Sequence, residues 1–122
     1  METLLSRQTL SKKERISGTV SISKLMSEGR WGSCSALKYC HLSPNELSYS
    51  RVMVSVPKRL FKRAVKRNLL KRRLREAYRQ NKSELKVNAD LMLLYNSTEI
   101  LSFSQLEENV KEIISRLNSQ VQ

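Results

Sequence analysis

The 122-residue chain has few of the residues on which disulfide-bonded, metal-binding or membrane proteins depend. It holds two cysteines, two prolines, three glycines and one histidine. No segment approaches the roughly 18 consecutive apolar residues of a membrane span. The N-terminus, METLLSRQTLSKKER, has no apolar stretch followed by a small-residue cleavage site, so we expect no secretory signal. These scarcities predict a soluble protein of the reducing cytoplasm that has no membrane partner.

The single histidine also limits the catalytic chemistry that this chain can offer. A catalytic triad needs a base and a residue that orients it, and His41 is the only imidazole. The run Cys34-x5-Cys40-His41 lacks both the spacing and the fourth ligand of a zinc site. The glycines are scattered and form no phosphate-binding loop. We therefore predict no catalytic residue, no metal site and no cofactor bound by the protein alone.

Positive charge is abundant and is concentrated in one segment. Lys and Arg number 23 against 11 Asp and Glu, a formal net charge of +12. Residues 58–79 hold 11 of the basic residues and a single acid, Glu76, so this segment alone carries +10. Such density is stabilised when a polyanion neutralises it, which favours a nucleic acid as partner.

The hydrophobic pattern predicts one α+β domain over residues 1–122, with an ordered core over about residues 10–118. Ser11 and Glu14 have capping-box spacing, and a helix that begins there is expected to end at Gly29. The last helix is expected to be capped by Ser104 and Glu107. Between these two helices the pattern predicts strands over 31–42, 49–56 and 90–95, and a basic helix over 63–82. A strand–helix–strand unit implies one parallel pair in a mixed sheet.

Alternation along the first strand assigns its side chains to two faces. Leu37, Tyr39 and His41 point one way, and Lys38, Cys40 and Leu42 point the other way. If residues 31–42 form a single strand, Cys34 and Cys40 lie on one face about 20 Å apart, too far for a disulfide.

The basic helix is predicted to present two different faces. At about 100° per residue, Leu70, Leu74, Ala77 and Tyr78 fall within one arc and form the core face. A neighbouring arc carries polar residues that are free to meet a polyanion: Asn68, Lys71, Arg72, Arg75 and Arg79.

The sequence around this helix resembles the bacterial ribonuclease P protein subunit. Ser55-Val56-Pro57-Lys58 matches the end of that family's strand, and the segment from Ala64 to Arg75 matches its RNR motif, A-V-x-R-N-R-x-K-R-x-x-R. The resemblance implies a mixed central sheet, a left-handed crossover through the basic helix, and N- and C-terminal helices packed on the sheet. It also implies a protein cofactor of a catalytic RNA that removes 5′ leaders from precursor tRNA, with Mg²⁺ acting in the RNA active site.

The resemblance implies two sets of functional residues. The catalytic RNA is expected to meet Lys58, Arg59, Arg63, Lys66, Arg67, Asn68, Lys71, Arg72, Arg75 and Arg79. A cleft between the first helix and the sheet is expected to receive the leader, with Ile22, Met26, Tyr39 and Ser55 as its residues. The third RNR position is Leu69 here, which removes one guanidinium.

Two other functions remain open at this stage. A ribosomal or other general RNA-binding protein would also carry such charge. A DNA-binding regulator is disfavoured, because Arg and Lys cover too broad an arc for base recognition and no helix-turn-helix pair is visible. The expected partners are therefore the catalytic RNA and precursor tRNA, and not DNA.

Overall fold

The structure, a computed structural model, describes residues 10–120. Within these residues, three helices and four strands follow one another in the order α-β-β-β-α-β-α, together with two short 3₁₀ turns at Lys12–Glu14 and Lys82–Glu84. The helices are α1 (Thr19–Glu28), α2 (Ala64–Asn81) and α3 (Phe103–Gln120). The strands are β1 (Arg30–Cys34), β2 (Leu37–Leu42), β3 (Arg51–Ser55) and β4 (Asp90–Tyr95).

The strands form one mixed sheet in the order β1-β2-β4-β3. Strands β3 and β4 are parallel, with Val52 beside Leu91 and Val54 beside Leu93, and the other neighbours are antiparallel. A parallel pair needs a crossover connection, and α2 provides it. The predicted strand–helix–strand unit around the basic helix is therefore confirmed.

Helices cover both faces of the sheet. Helices α2 and α3 pack on the face that carries Leu37, Val52 and Leu91, and together they bury the larger core. Helix α1 lies on the opposite face, where Leu25 packs with Cys40 and Met92 in a smaller cluster. The N- and C-terminal helices thus pack on the sheet as predicted, but on opposite sides of it.

The first predicted helix begins later than its capping signal suggests. The Ser11–Glu14 capping box is present, yet it closes only the first 3₁₀ turn. The chain then runs beside β3, where the Ile16 amide donates to the Val52 carbonyl at 3.0 Å. Gly18, at φ +89°, turns the chain into α1. The end of this helix at Gly29 is as predicted.

The single strand predicted over residues 31–42 is wrong, because the segment is a hairpin. Strands β1 and β2 are joined by a turn in which Ser35 adopts a left-handed conformation at φ 56°. The hairpin pairs Cys34 with Leu37, and paired residues share a face, so Cys34 joins the larger core while Cys40 lies in the smaller one. The two cysteines are free thiols on opposite faces of the sheet, and not on one face as expected.

The cap of the last helix also differs from the expectation. Helix α3 begins at Phe103, and the reciprocal hydrogen bonds join Ser102 to Gln105: the Ser102 amide donates to Gln105 Oε1, and the Gln105 amide donates to Ser102 Oγ. Ser104 and Glu107 have the same spacing but lie inside the helix. The capping pair predicted from Ser104 and Glu107 is therefore wrong by two residues.

Candidate nucleic-acid interface

Helix α2 separates its apolar and basic side chains as the sequence predicts. Leu70 and Leu74 are fully buried against the sheet and α3. The residues of the neighbouring arc form the outer surface of the helix, here called the basic stripe: Asn68, Lys71, Arg72, Arg75 and Arg79. Within this stripe Asn68, Arg72 and Arg75 are exposed, while Lys71 and Arg79 are partly buried.

The loop before α2 extends the positive surface. Pro57 ends the β3 segment, and the Leu60 amide donates to the Pro57 carbonyl at 3.1 Å in a tight turn. The polar side chains of this loop and of the first helical turn are exposed, namely those of Lys58, Arg59, Lys62, Arg63 and Lys66. The loop and the basic stripe therefore provide cations from Lys58 to Arg79, before α2 and along its length.

Arg67 has a different position from the other cations of the motif. Its guanidinium donates to the carbonyls of Phe61 and Lys62, both at 2.8 Å. At about 100° per residue it lies on the core side of the helix, well away from Arg72. Arg67 therefore holds the loop 58–63 against the start of α2, and this contact orders the cations of that loop.

Two further arginines of α2 are engaged within the protein. Arg73 donates to the Leu101 carbonyl in the segment before α3. Arg79 forms an ion pair with Glu76, and the hydrogen bonds from Arg79 and then Gln80 lower the pKa of Glu76 to about 2. Arg73 therefore does not replace the guanidinium missing at Leu69, and part of the Arg79 charge is neutralised by Glu76.

The residues predicted for the leader cleft are only partly brought together. Ile22 packs on the smaller core beneath α1, and Met26, on the same flank of the helix, is 48% exposed. Ser55 lies two residues after Met53 in β3, so both side chains are on the sheet face that α1 covers. Ile22, Met26 and Ser55 thus lie on one side of the sheet, the side that α1 covers, which is here called the α1 face.

Tyr39 does not lie on the α1 face, so its predicted place in a cleft between the first helix and the sheet is wrong. Its side chain points to the opposite side, is 4% exposed, and joins the larger core beneath the C-terminal helix. A Cβ on Gly32 would stand 2.6 Å from its ring, so glycine leaves the space that the ring fills. Its hydroxyl lies 3.4 Å from Arg116 Nη1. The alternation of β2 was predicted correctly, but the helices cover the face that carries Tyr39.

Two residues near the candidate surfaces were missed by sequence reasoning. The first is Arg15, which lines a cavity of about 270 Å³ at the outer edge of β3 together with Ile16, Met53 and Arg75 of the basic stripe. Trp31 lies opposite Cys40 on the α1 side of the sheet. Alternation indicates this face for Trp31 only after the turn at Ser35 is known.

Within residues 10–120, no three side chains of the types His, Cys, Asp or Glu are grouped to hold a metal ion. His41 is buried near the end of α3, and its Nε2 lies 2.8 Å from Gln120 Oε1. Burial is the main cause that lowers the pKa of His41. In the same part of the chain, no helix is long and apolar enough to cross a membrane.

Comparison with known proteins shows to which family the chain is related. The family model described as Ribonuclease P matches residues 10–118. The ribonuclease P protein component of Porphyromonas gingivalis strain W83 is 33% identical over 121 residues, which cover 92% of this chain and 88% of that protein. The chain belongs to the ribonuclease P protein family. A second relative, from Citrifermentans bemidjiense, is 42% identical over 77 residues, 62% of this chain and 65% of the relative.

Solved structures of the family have the same fold. The ribonuclease P protein of Thermotoga maritima superposes with a TM-score of 0.75 at 23% identity, covering 84% of this chain and 96% of that one. The protein of Staphylococcus aureus gives a TM-score of 0.74 at 21% identity over 90% and 93% of the two chains. The four-stranded mixed sheet with its three helices is therefore the fold of the family.

Membership in the family defines what kind of protein this is. Ribonuclease P is an endoribonuclease of tRNA 5′ maturation whose catalysis is carried out by its RNA. The chain is the protein component of that enzyme, and its partner is RNA. The cations of α2 therefore form the candidate RNA interface.

Proposed function

We propose that this chain binds the catalytic RNA of ribonuclease P through the basic stripe and the loop 58–63. It further binds the 5′ leader of precursor tRNA on the α1 face. The observation that carries the proposal is the position of Arg72 and Arg75. Both are exposed on the outer side of α2, and neither has a hydrogen bond or ion pair to another residue of the described part of the chain. Each guanidinium is free to bind a phosphate with two parallel hydrogen bonds.

The role of the protein in this proposal is charge neutralisation and positioning. Mg²⁺ supplies the catalytic chemistry in the RNA active site, and the protein raises the apparent affinity of the particle for Mg²⁺ and substrate by offsetting phosphate repulsion. The reaction takes place in the cytoplasm, with which the free thiols of Cys34 and Cys40 agree.

A reconstitution assay tests this proposal. Purified bacterial ribonuclease P RNA and labelled precursor tRNA are incubated at low Mg²⁺ with and without the protein, and release of the 5′ leader is followed. We expect efficient cleavage only in the presence of both the RNA and the protein. The protein alone should release no leader.

A matched pair of variants then tests the interface. The double variant Arg72→Ala/Arg75→Ala removes two charges of the basic stripe and should raise the protein concentration needed for half-maximal cleavage. Lys111→Ala removes an exposed cation of α3 and serves as the control. A protein that binds many RNAs equally well but never stimulates cleavage would instead be a general RNA-binding protein. Equal losses for the double variant and Lys111→Ala would place the interface elsewhere.

A further inference from the structure

Trp31 is exposed to an unusual degree for so large an aromatic side chain. It is the only tryptophan of the chain, and 49% of its surface is accessible. Tryptophan is normally highly buried, because removing its large apolar ring from water gives a large gain in free energy. The exposed part of the ring is therefore available to a binding partner.

Trp31 lies on the α1 face, at the edge of the sheet opposite to β3. It lies opposite Cys40 in the hairpin, and Cys40 donates a hydrogen bond from its thiol to the Leu25 carbonyl of α1 at 3.3 Å. Trp31 is thus on the α1 side of the sheet, in the outermost strand. Ile22, Met26 and Ser55 are on the same side.

The surroundings of the ring favour an anionic partner. Lys38 lies opposite Ser33, so it is a diagonal neighbour of Trp31 on the same face, and it is exposed. The strand residues of this face include one carboxylate, that of Asp90, which lies beyond Cys40 toward the other end of the sheet. Asp90 is 3% exposed and accepts hydrogen bonds from Arg51 at 2.9 and 2.6 Å, so its charge is compensated.

An aromatic face beside a cation matches the two chemical parts of an unpaired nucleotide. The base stacks on the ring, and the phosphate of the same strand meets the ammonium group. Paired bases are already stacked within their helix, so the site selects single-stranded RNA. The leader of precursor tRNA is a segment that can provide such an unpaired base, and mature tRNA lacks it.

We infer that Trp31 stacks on an unpaired base of the precursor 5′ leader while Lys38 binds a phosphate of the same strand. This inference rests on the proposed function and adds the residue that supplies the aromatic surface. It also assigns the outer edge of β1 to the path of the leader. Tyr39, buried on the other side of the sheet, takes no part.

Because Trp31 is the only tryptophan of the chain, the tryptophan fluorescence of the protein reports on this one side chain. The protein is assembled with bacterial ribonuclease P RNA, and its fluorescence is recorded during titration with precursor tRNA, with Ca²⁺ in place of Mg²⁺ to slow cleavage. Stacking should quench the emission when the tRNA carries a leader, whereas mature tRNA should leave it nearly unchanged. An emission that responds equally to both ligands, or to neither, overturns the inference.

Variants test the same inference by affinity. Trp31→Ala should weaken binding of leader-bearing tRNA by about five- to a hundredfold, Trp31→Phe should retain most of the affinity, and mature tRNA should bind as before. Val20→Ala, which truncates an exposed apolar residue of α1, is the matched control. Because about half of the Trp31 surface is buried, melting curves of each variant are recorded first, and binding is compared at a temperature at which every variant is folded.

The result also separates this inference from the proposed function. If Trp31→Ala binds both tRNAs like the parent while the particle still cleaves precursor tRNA, the role of Trp31 is overturned and the proposed function stands. If the parent protein never stimulates cleavage, the proposed function fails in the reconstitution assay before any variant is compared.

Discussion

Lys82 and Glu14 join two segments that are 68 residues apart in the sequence. Lys82 Nζ lies 2.8 Å from Glu14 Oε2 and 3.1 Å from Oε1, and the two side chains are only 20% and 17% exposed. Burial acts to raise the pKa of Glu14, but hydrogen bonds from Lys82 and Ser11 outweigh it, and the pKa is lowered. The pair thus ties the N-terminal turn to the end of α2.

This ion pair predicts a pH dependence of stability. Because the pKa of Glu14 is lower in the folded state, its contribution is fully present above the unfolded value of about 4.3 and is lost as the pH falls through the folded value. Glu14→Gln should reduce the free energy of unfolding at pH 7 by about 1–3 kcal/mol, between the ranges for exposed and buried pairs. Melting curves at pH 7 and at pH 3 measure this.

The melting curves at pH 3 provide the internal control for this prediction. The parent should lose more stability than Glu14→Gln between the two pH values, because the variant has no carboxylate to protonate at this position. Curves that fall in parallel would show that the pair does not contribute.

Neighbouring residues of α2 should respond to mutation in opposite ways. Arg72→Ala and Arg75→Ala remove exposed charges, so we expect weaker binding to the catalytic RNA and nearly unchanged melting. Leu74 is fully buried, and Leu74→Ala should cost about 2–5 kcal/mol of stability because it leaves a cavity. Thermal melts and RNA titrations on the same preparations compare the two. A large loss of stability for Arg75→Ala would contradict the assigned faces.

Arg67 should behave differently from the exposed arginines of the same motif. Its guanidinium reaches the carbonyls of Phe61 and Lys62 at once, which a lysine ammonium is less well shaped to do. We expect Arg67→Lys to weaken both stability and RNA binding, because the loop 58–63 loses its anchor. Arg72→Lys keeps the charge without such a contact and should change stability little. Faster amide hydrogen exchange in residues 58–63 of Arg67→Lys would confirm the anchoring role.

Sequence patterns predicted well those parts of the fold in which the hydrophobic pattern of one segment determines the element that it forms. The arc of Leu70, Leu74 and Tyr78 placed α2 correctly, and the apolar run from Asp90 to Tyr95 matched β4 residue by residue. The motif identified the cations of α2 but gave no indication that Arg67 bonds to backbone carbonyls. That contact depends on how the loop 58–63 folds back, which neither spacing nor charge specifies.

The errors come from one unrecognised turn and from the stacking order of the layers. The backbone of Ser35 bends into the left-handed region without a glycine or asparagine, so no turn signal divided residues 31–42. Without that turn, Cys34 and Cys40 fall on one face, and Trp31 has no assigned side. Alternation indicated that Tyr39 and Cys40 point to opposite sides of the sheet. Which side α1 covers is decided by tertiary packing.

Binding to the catalytic RNA should depend strongly on salt concentration, and the contribution of each cation should be measurable. If the basic stripe and the loop 58–63 neutralise about six phosphates, the logarithm of the binding constant should fall by about 4 to 5 units per tenfold increase in salt. The Arg72→Ala/Arg75→Ala variant should reduce that slope by about 1.4 to 1.8, because each lost phosphate contact reduces it by about 0.7 to 0.9. Trp31→Ala should leave the slope unchanged, since an uncharged ring displaces no counterions. Titrations of the RNA with each protein at several KCl concentrations and fixed Mg²⁺ provide the slopes. A parent slope near −1 would exclude α2 as the main contact, since a single phosphate contact would account for it.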